Sequence, residues 1–103
     1  MTWLDAGPES RLEKDRAISA QIGPHFVAIA RCEDGVHAVE DLCTHDGAEL
    51  TGGSVEACEI VCPRHGARFC LRTGAALTPP AYEAVRTFEA KIEAGRIWVR
   101  IDD

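Results

Sequence analysis

The sequence predicts an all-β protein with antiparallel strands, and three patterns lead to that prediction. Short β-prone segments are separated by turn residues in the first half, period-two alternation dominates the C-terminal part, and no run shows convincing helical spacing. The first three predicted strands span residues 17–21, 25–31 and 36–40. Gly23-Pro24 and Asp34-Gly35 separate them, and Asp-Gly readily supplies the positive φ of a tight hairpin turn.

The remaining elements are shorter. Residues 43–82 combine many Gly and Pro with brief apolar runs such as Ile60-Val61, which predicts loops carried on short strands. Alternation then runs through Phe88, Ala90 and Ile92, and after the turn Ala94-Gly95 it continues through Ile97, Val99 and Ile101. These patterns predict a C-terminal hairpin. Pro8 to Asp15 can form one helical turn, and we expect Trp3 and Trp98 to pack in or beside the core.

Composition and charge limit the classes of function. The 103 residues suffice for a single domain, 1–103, with its own core. The formal net charge of −6, from 17 acidic and 11 basic residues, would repel nucleic acid and anionic membranes. The charge favours partner proteins with basic docking patches, although it could equally serve solubility alone.

Cysteine usage indicates the compartment. Residues 1–8 lack the features of a secretory signal, and no segment approaches a membrane-spanning length. An odd total of five cysteines without a signal favours reduced thiols and metal ligation over disulfides. We therefore expect a soluble cytoplasmic protein.

Two short motifs concentrate the residues that can bind a metal. Cys43-Thr44-His45 and Cys62-Pro63-Arg64-His65 are separated by the 16 residues 46–61, and each offers one thiolate and one imidazole. Gly47 and Gly66 follow the two histidines closely, so backbone can approach a metal centre there. Ligation by two Cys and two His suits a 2Fe-2S cluster in which His replaces Cys on one iron. A zinc site remains the alternative, although zinc fingers usually pair Cys with Cys and His with His.

With these motifs, the chain resembles Rieske proteins over nearly its whole length, and especially the ferredoxins of bacterial aromatic-ring-hydroxylating dioxygenase systems. The resemblance includes Cys62-Pro63-Arg64-His65-Gly66-Ala67-Arg68-Phe69 and Leu71-Arg72-Thr73-Gly74. It implies an antiparallel β-sandwich, with residues 43–82 as a cluster-binding subdomain. Cys43 and Cys62 would bind the inner iron of one Rieske-type 2Fe-2S cluster, and His45 and His65 the outer iron. Thr78-Pro79-Pro80-Ala81 would be the proline loop that shields the cluster.

The chain departs from respiratory Rieske proteins at four positions. Those proteins have a disulfide between the two ligand loops, but Ala48 and Arg64 occupy the matching positions here. They also have Ser and Tyr hydroxyls that donate to cluster sulfurs, where this chain has Ala67 and Phe69. Since such donors stabilise the reduced cluster, their absence predicts a low potential, roughly −150 mV within the Rieske range.

The resemblance implies electron transfer and no catalysis of its own. The chain would accept electrons from an NADH-dependent flavoprotein ferredoxin reductase and pass them to a terminal Rieske non-heme iron oxygenase in aromatic compound degradation. A freely diffusing monomer is expected. The alternatives are the Rieske small subunit of an assimilatory nitrite reductase and a zinc-stabilised binding module.

The other cysteines and histidines receive no function. Cys32, Cys58 and Cys70 are interpreted as small buried hydrophobic residues. His25 and His37 have no Cys neighbour at ligand spacing and are interpreted as surface histidines.

Overall fold

The computed structural model describes residues 2–44 and 47–101 and is almost entirely β. One short 3-10 helix, Glu9–Arg11, lies within the segment predicted to form a helical turn. The strands are β1 (Thr2–Pro8), β2 (Ile18–Ile22), β3 (His25–Cys32), β4 (Gly35–Glu40), β5 (Val55–Glu56), β6 (Glu59–Val61), β7 (Arg68–Cys70), β8 (Thr87–Phe88), β9 (Ala90–Glu93) and β10 (Arg96–Ile101). The described part of the chain contains no helix long and apolar enough to cross a membrane.

The strands form three antiparallel sheets. The first has the order β1-β10-β9, the second β2-β3-β4-β8, and the third, hereafter the small sheet, β5-β6-β7. The predicted all-β antiparallel class is confirmed, and β2, β3 and β4 match their predicted segments to within one residue at each end. The alternation through Phe88 and Ala90 is divided, because β8 joins β4 while β9 joins β10.

Strand β1 was not predicted from the sequence. It pairs with β10, so Thr2 lies opposite Ile101 at the far end of the chain. A register shift between Asp5 and Gly7 interrupts the strand, and this irregularity hides its alternation. Asp5 also accepts two hydrogen bonds from the Arg96 guanidinium at 3.0 and 3.1 Å, which ties β1 to the start of β10.

Strand β3 separates two hydrophobic cores. Val27 and Ile29 point into a core between the first and second sheets, whereas Ala28 and Ala30 point into another core that contains the small sheet and both predicted cysteine ligands. All four side chains are fully buried. Successive side chains of a strand face opposite sides, so one strand can serve both cores. The methyl groups of Ala28 and Ala30 allow the small-sheet side to pack closely.

The two tryptophans lie beside the core, as expected. Both are partly buried, and the Lys91 ammonium lies 4.5 Å from the centre of the Trp3 ring. The Trp98 indole nitrogen is buried without a hydrogen-bond partner among the described residues.

A buried carboxylate closes the base of the first cysteine-histidine loop. Asp41 is the buried charged residue within residues 2–44 and 47–101. Its Oδ1 accepts the Leu50 and Thr51 amides at 2.7 and 2.8 Å, and its Oδ2 accepts the Thr51 hydroxyl at 2.6 Å. Because Asp41 precedes Cys43 while Leu50 and Thr51 follow the loop, these bonds clamp the two ends together.

We predict that Asp41→Ala lowers the free energy of unfolding by about 2 to 3 kcal/mol, because the Leu50 amide would remain buried without an acceptor. Asp41→Asn is the matched control, since its amide oxygen can still accept both backbone N–H groups. Asp41→Asn should therefore lower the free energy of unfolding clearly less than Asp41→Ala does. Urea titrations followed by far-UV circular dichroism measure both values, and equal stabilities for Asp41→Ala and the unchanged protein would contradict the clamp.

Candidate metal centre

The first loop turns back on itself through two backbone hydrogen bonds. The Gly47 amide donates to the Cys43 carbonyl at 2.7 Å, and the Cys43 amide donates to the Ala48 carbonyl at 2.7 Å. Gly47 has a φ of 78°, in the region where a side chain is strained. This explains why glycine stands at the fourth position after the cysteine. His45 and Asp46 lie outside the described residues.

The second loop repeats this closure. The Gly66 amide donates to the Cys62 carbonyl at 3.0 Å, the Cys62 amide donates to the Ala67 carbonyl at 2.7 Å, and Gly66 has a φ of 75°. Both loops therefore follow the pattern Cys-x-x-x-Gly-Ala, although His65 stands three residues after its cysteine and His45 only two after its own. The common backbone turn presents two cysteines in equivalent ways.

The candidate cysteine ligands and His65 differ in solvent exposure. Cys43 and Cys62 are 0% and 1% exposed and belong to one hydrophobic core, whereas His65 is exposed. Thiolate and imidazole are ligands of zinc and of iron-sulfur clusters. A metal centre held here would therefore have its sulfur ligands inside the protein and the His65 ring at the surface.

A third turn has the same closure without a histidine. The Gly74 amide donates to the Cys70 carbonyl at 2.7 Å, and the Cys70 amide donates to the Ala75 carbonyl at 2.9 Å. Cys70 is partly exposed, contrary to its interpretation as a buried residue. A hydrogen bond from the Thr73 hydroxyl lowers the pKa of the Cys70 thiol, while burial acts in the opposite direction.

Residues 78–83, which include the segment predicted as the proline loop, are bonded to the first cysteine loop and to the start of β7. The Thr44 hydroxyl donates to the Glu83 carbonyl at 2.7 Å, and the Arg68 amide donates to the Thr78 hydroxyl at 3.0 Å. Ala81 is buried within the same core as the two cysteines. Tyr82, between Ala81 and Glu83, is 83% exposed. An aromatic side chain therefore stands in solvent next to the attachment of the first loop.

Hydroxyl groups are missing from two positions close to the cysteines. Ala67 ends the second loop and Phe69 lies on β7, and both are fully buried in the core that contains Cys43 and Cys62. Neither side chain can donate a hydrogen bond to a sulfur. Arg68, between them, instead forms ion pairs with Glu56 and Glu59 of the small sheet at 3.4 and 3.6 Å.

Sequence reasoning missed two contributions to the site. Asp41 was not singled out, although an acidic residue just before a glycine-containing loop is a recognisable candidate for capping backbone amides. Thr44 was given no role, yet its hydroxyl attaches the first loop to the segment around Tyr82. The acceptor, the Glu83 carbonyl, lies 39 residues further along the chain and is brought to Thr44 only by the fold.

One expectation for the remaining residues is wrong. Cys32 and Cys58 are joined by a disulfide with a Cα–Cα distance of 5.3 Å, contrary to the reduced thiols expected from the odd cysteine count. His37 is partly buried and lies against the exposed Asp34 carboxylate with a 2.7 Å contact. Hydrogen bonds from His37 and then Arg72 hold the pKa of Asp34 at about 2. The turn at Asp34-Gly35 was predicted from its backbone requirements alone, and the structure shows that Asp34 also binds His37 and Arg72.

Comparison with known proteins agrees with this arrangement. Residues 2–89 match the family model described as the Rieske [2Fe-2S] domain. A Ralstonia protein, the ferredoxin component of naphthalene 1,2-dioxygenase/salicylate 5-hydroxylase systems, is 30% identical over 100 residues, which cover 97% of this chain and 96% of the relative.

Solved structures extend the likeness to the fold. The ferredoxin of carbazole 1,9a-dioxygenase from Nocardioides aromaticivorans IC177 superimposes with a TM-score of 0.89 at 30% identity, covering 96% of this chain and 97% of its own. A ferredoxin in complex with its reduced oxygenase, from carbazole 1,9a-dioxygenase, gives 0.84 at 30% identity, covering 94% and 91%. A Mycobacterium tuberculosis structure described as an NADH-dependent nitrite reductase small subunit gives 0.85 at 27% identity, covering 99% and 97%. On the family match and these similarities, the chain belongs to the Rieske [2Fe-2S] domain family.

Proposed function

We propose that this protein is a soluble, low-potential one-electron carrier of an aromatic-ring dioxygenase system. It would take electrons from an NADH-dependent flavoprotein ferredoxin reductase and deliver them to a terminal Rieske non-heme iron oxygenase. The observation that carries this proposal is the pair of matching turns, which place two buried cysteines in one core while His65 lies at the surface. The relatives named as ferredoxin components support it.

The family's cofactor is one Rieske-type 2Fe-2S cluster, which exchanges one electron at a time. In this chain Cys43 and Cys62 would hold one iron, and His45 and His65 the other. The structure fits that division at the described ligands, because burial keeps solvent from both sulfurs. Because His65 is exposed, its ring would lie between a bound cluster and a partner protein, and the electron path between them would be short.

The proposal includes the organisation of the chain. Residues 1–103 would act as a single Rieske domain, with residues 43–82 as the cluster-binding subdomain on a basal β-sandwich. The small sheet and the bonds from Thr44 and Arg68 to residues 78–83 support that division. A cytoplasmic monomer fits a carrier that must present the same His65 edge to two partners in turn.

The choice of acceptor rests on the relatives. The complex of ferredoxin and oxygenase in carbazole 1,9a-dioxygenase supports an oxygenase as the partner. The similarity to the nitrite reductase small subunit supports the second candidate, an accessory subunit of that enzyme. Ala67 and Phe69 have no hydroxyl that could donate to a cluster sulfur. This favours a low reduction potential, which suits delivery of electrons to an oxygenase.

Reduction of the purified protein tests electron transfer directly. We expect two iron atoms per chain and a Rieske-type EPR signal after dithionite reduction, and His65→Ala should abolish that signal. His25→Ala is the control, because His25 packs against Phe88, which belongs to the hydrophobic core without the two cysteines. Stoichiometric zinc with no EPR signal would instead support the zinc module. Rapid-mixing assays with an aromatic-ring dioxygenase and with a nitrite reductase catalytic subunit then separate the two acceptors.

The missing hydroxyl donors lead to a prediction about potential. Phe69→Tyr and Ala67→Ser should each raise the midpoint potential by tens of millivolts, because a donor that binds the reduced cluster about 1 kcal/mol more tightly shifts a one-electron couple by about 40 mV. Phe88→Tyr is the matched control, since Phe88 belongs to the other hydrophobic core. Protein-film voltammetry measures the three values, and unchanged or lower potentials at positions 67 and 69 would sink the argument.

The exposed position of Tyr82 leads to a prediction about docking. Tyr82→Ala should slow electron transfer to the oxygenase several-fold, because exposed aromatic residues often contribute strongly to protein interfaces. The midpoint potential and EPR spectrum should not change. Phe26→Ala removes another exposed aromatic residue on β3 and is the control. Equal transfer rates for Tyr82→Ala and the unchanged protein would place the docking surface elsewhere.

A further inference from the structure

A second group of potential metal ligands lies outside the two cysteine-histidine loops. Cys32, Asp34, His37 and Cys58 bring their ligand atoms within 4.8 Å of one another. Asp34 Oδ1 lies at the centre of the group, 2.7 Å from His37 Nε2 and 3.1 and 3.9 Å from the sulfurs of Cys32 and Cys58. A sulfur pair, an imidazole and a carboxylate oxygen thus converge on one point.

We propose that, once the Cys32–Cys58 disulfide is reduced, these four side chains bind one zinc ion. The site is separate from the proposed 2Fe-2S ligands and goes beyond the proposed electron-carrier function. Zinc accepts Cys sulfur, His nitrogen and Asp oxygen in tetrahedral geometry. The mixed donor set is the chemical argument for zinc over calcium or magnesium, which prefer oxygen ligands.

The spacing of the donor atoms is close to what zinc requires. Bond lengths of about 2.3 Å to sulfur and about 2.0 Å to nitrogen and oxygen give tetrahedral edges of about 3.3 Å between nitrogen and oxygen and about 3.5 Å between sulfur and oxygen. The distances from Asp34 Oδ1 are 2.7 Å to nitrogen and 3.1 and 3.9 Å to the sulfurs. Shifts of about 0.4 to 0.6 Å in these three distances would admit the ion, and the two sulfurs would have to move apart after reduction of the disulfide.

Reduction and metal binding are linked by simple chemistry. A dithiol reductant would break the Cys32–Cys58 bond, becoming a disulfide itself while two electrons and two protons yield the two thiols. Zinc binding would then release both thiol protons, since the thiolate is the ligand. The disulfide and the metal site therefore exclude each other, and zinc would bind only the dithiol form.

Arg72 supplies the outer support that metal ligands usually have. Its Nε donates to Asp34 Oδ2 at 2.6 Å, which holds the carboxylate and leaves Oδ1 facing the other three ligands. Two thiolates and one carboxylate around Zn²⁺ carry a net charge of −1, and the adjacent guanidinium balances it. Hydrogen bonds of this kind orient the residues that bind the metal and raise the affinity for it.

The site lies between two parts of the fold. Cys32, Asp34 and His37 belong to the β3-β4 hairpin, whereas Cys58 lies in the turn between β5 and β6 of the small sheet. A surface cavity of about 470 Å³, lined in part by Cys32 and Cys58, provides an entry path. Zinc would therefore link the second sheet to the small sheet.

Zinc binding by the reduced holoprotein tests the proposal. The iron-loaded protein is treated anaerobically with a phosphine reductant, freed of it, and dialysed against zinc buffered by a chelator. We expect one zinc and two iron atoms per chain by mass spectrometry, and no zinc in the disulfide form. Zinc-edge X-ray absorption should show two sulfur neighbours at about 2.3 Å and two lighter ones at about 2.0 Å.

Matched variants assign the ligands. His37→Gln and Cys32→Ser should each weaken zinc binding at least tenfold, with iron content and the EPR signal unchanged. His25→Gln and Cys70→Ser are the controls for histidine and cysteine outside the group, and they should retain full affinity. The proposal is overturned by no zinc in the reduced protein, by full affinity in His37→Gln and Cys32→Ser, or by zinc that displaces iron. Because iron is measured separately, failure here is distinguishable from failure of the proposed carrier function.

Discussion

The burial of residues 27–30 of strand β3 on both faces is the constraint on which the rest of the structure depends. Val27 and Ile29 fill one core and Ala28 and Ala30 line the other, so the two cores share a wall one strand thick. Burying side chains of this type contributes about 1.5 to 3 kcal/mol for each large residue. The small residues on the opposite face let the cysteine-bearing loops and the small sheet pack directly on the second sheet.

The same backbone turn occurs at three cysteines. Cys43, Cys62 and Cys70 each begin a Cys-x-x-x-Gly-Ala turn, closed by one hydrogen bond to the cysteine carbonyl and another from the cysteine amide. Positive φ angles at the glycines make these turns possible without strain. Only the first two turns carry a histidine, which distinguishes the proposed cluster ligands from the Cys70 turn.

The proposed cluster ligands and the proposed zinc ligands meet at one hydrophobic core. The sulfurs of Cys43 and Cys62 lie in the core that also contains Cys58, and Cys32 packs against it. Asp34 and Arg72 then join the hairpin to the chain just beyond β7. A metal at this junction would stabilise the surroundings of the cluster ligands without touching them, through the binding energy added to the folded state.

The sequence alone determined strands β2, β3 and β4, the hairpin at Asp34-Gly35 and the positions of the two cysteine-histidine motifs, because these depend on side-chain alternation, turn chemistry and short spacings. His45 remains a prediction, as it lies outside the described residues. Tertiary structure decided the pairing of β1 with β10, the clamp of Asp41 on the first loop, and the meeting of Cys32 and His37 with Cys58. Those contacts join residues distant in the chain or on opposite sides of a loop. No local pattern encodes them, because they form only when the sheets pack around β3.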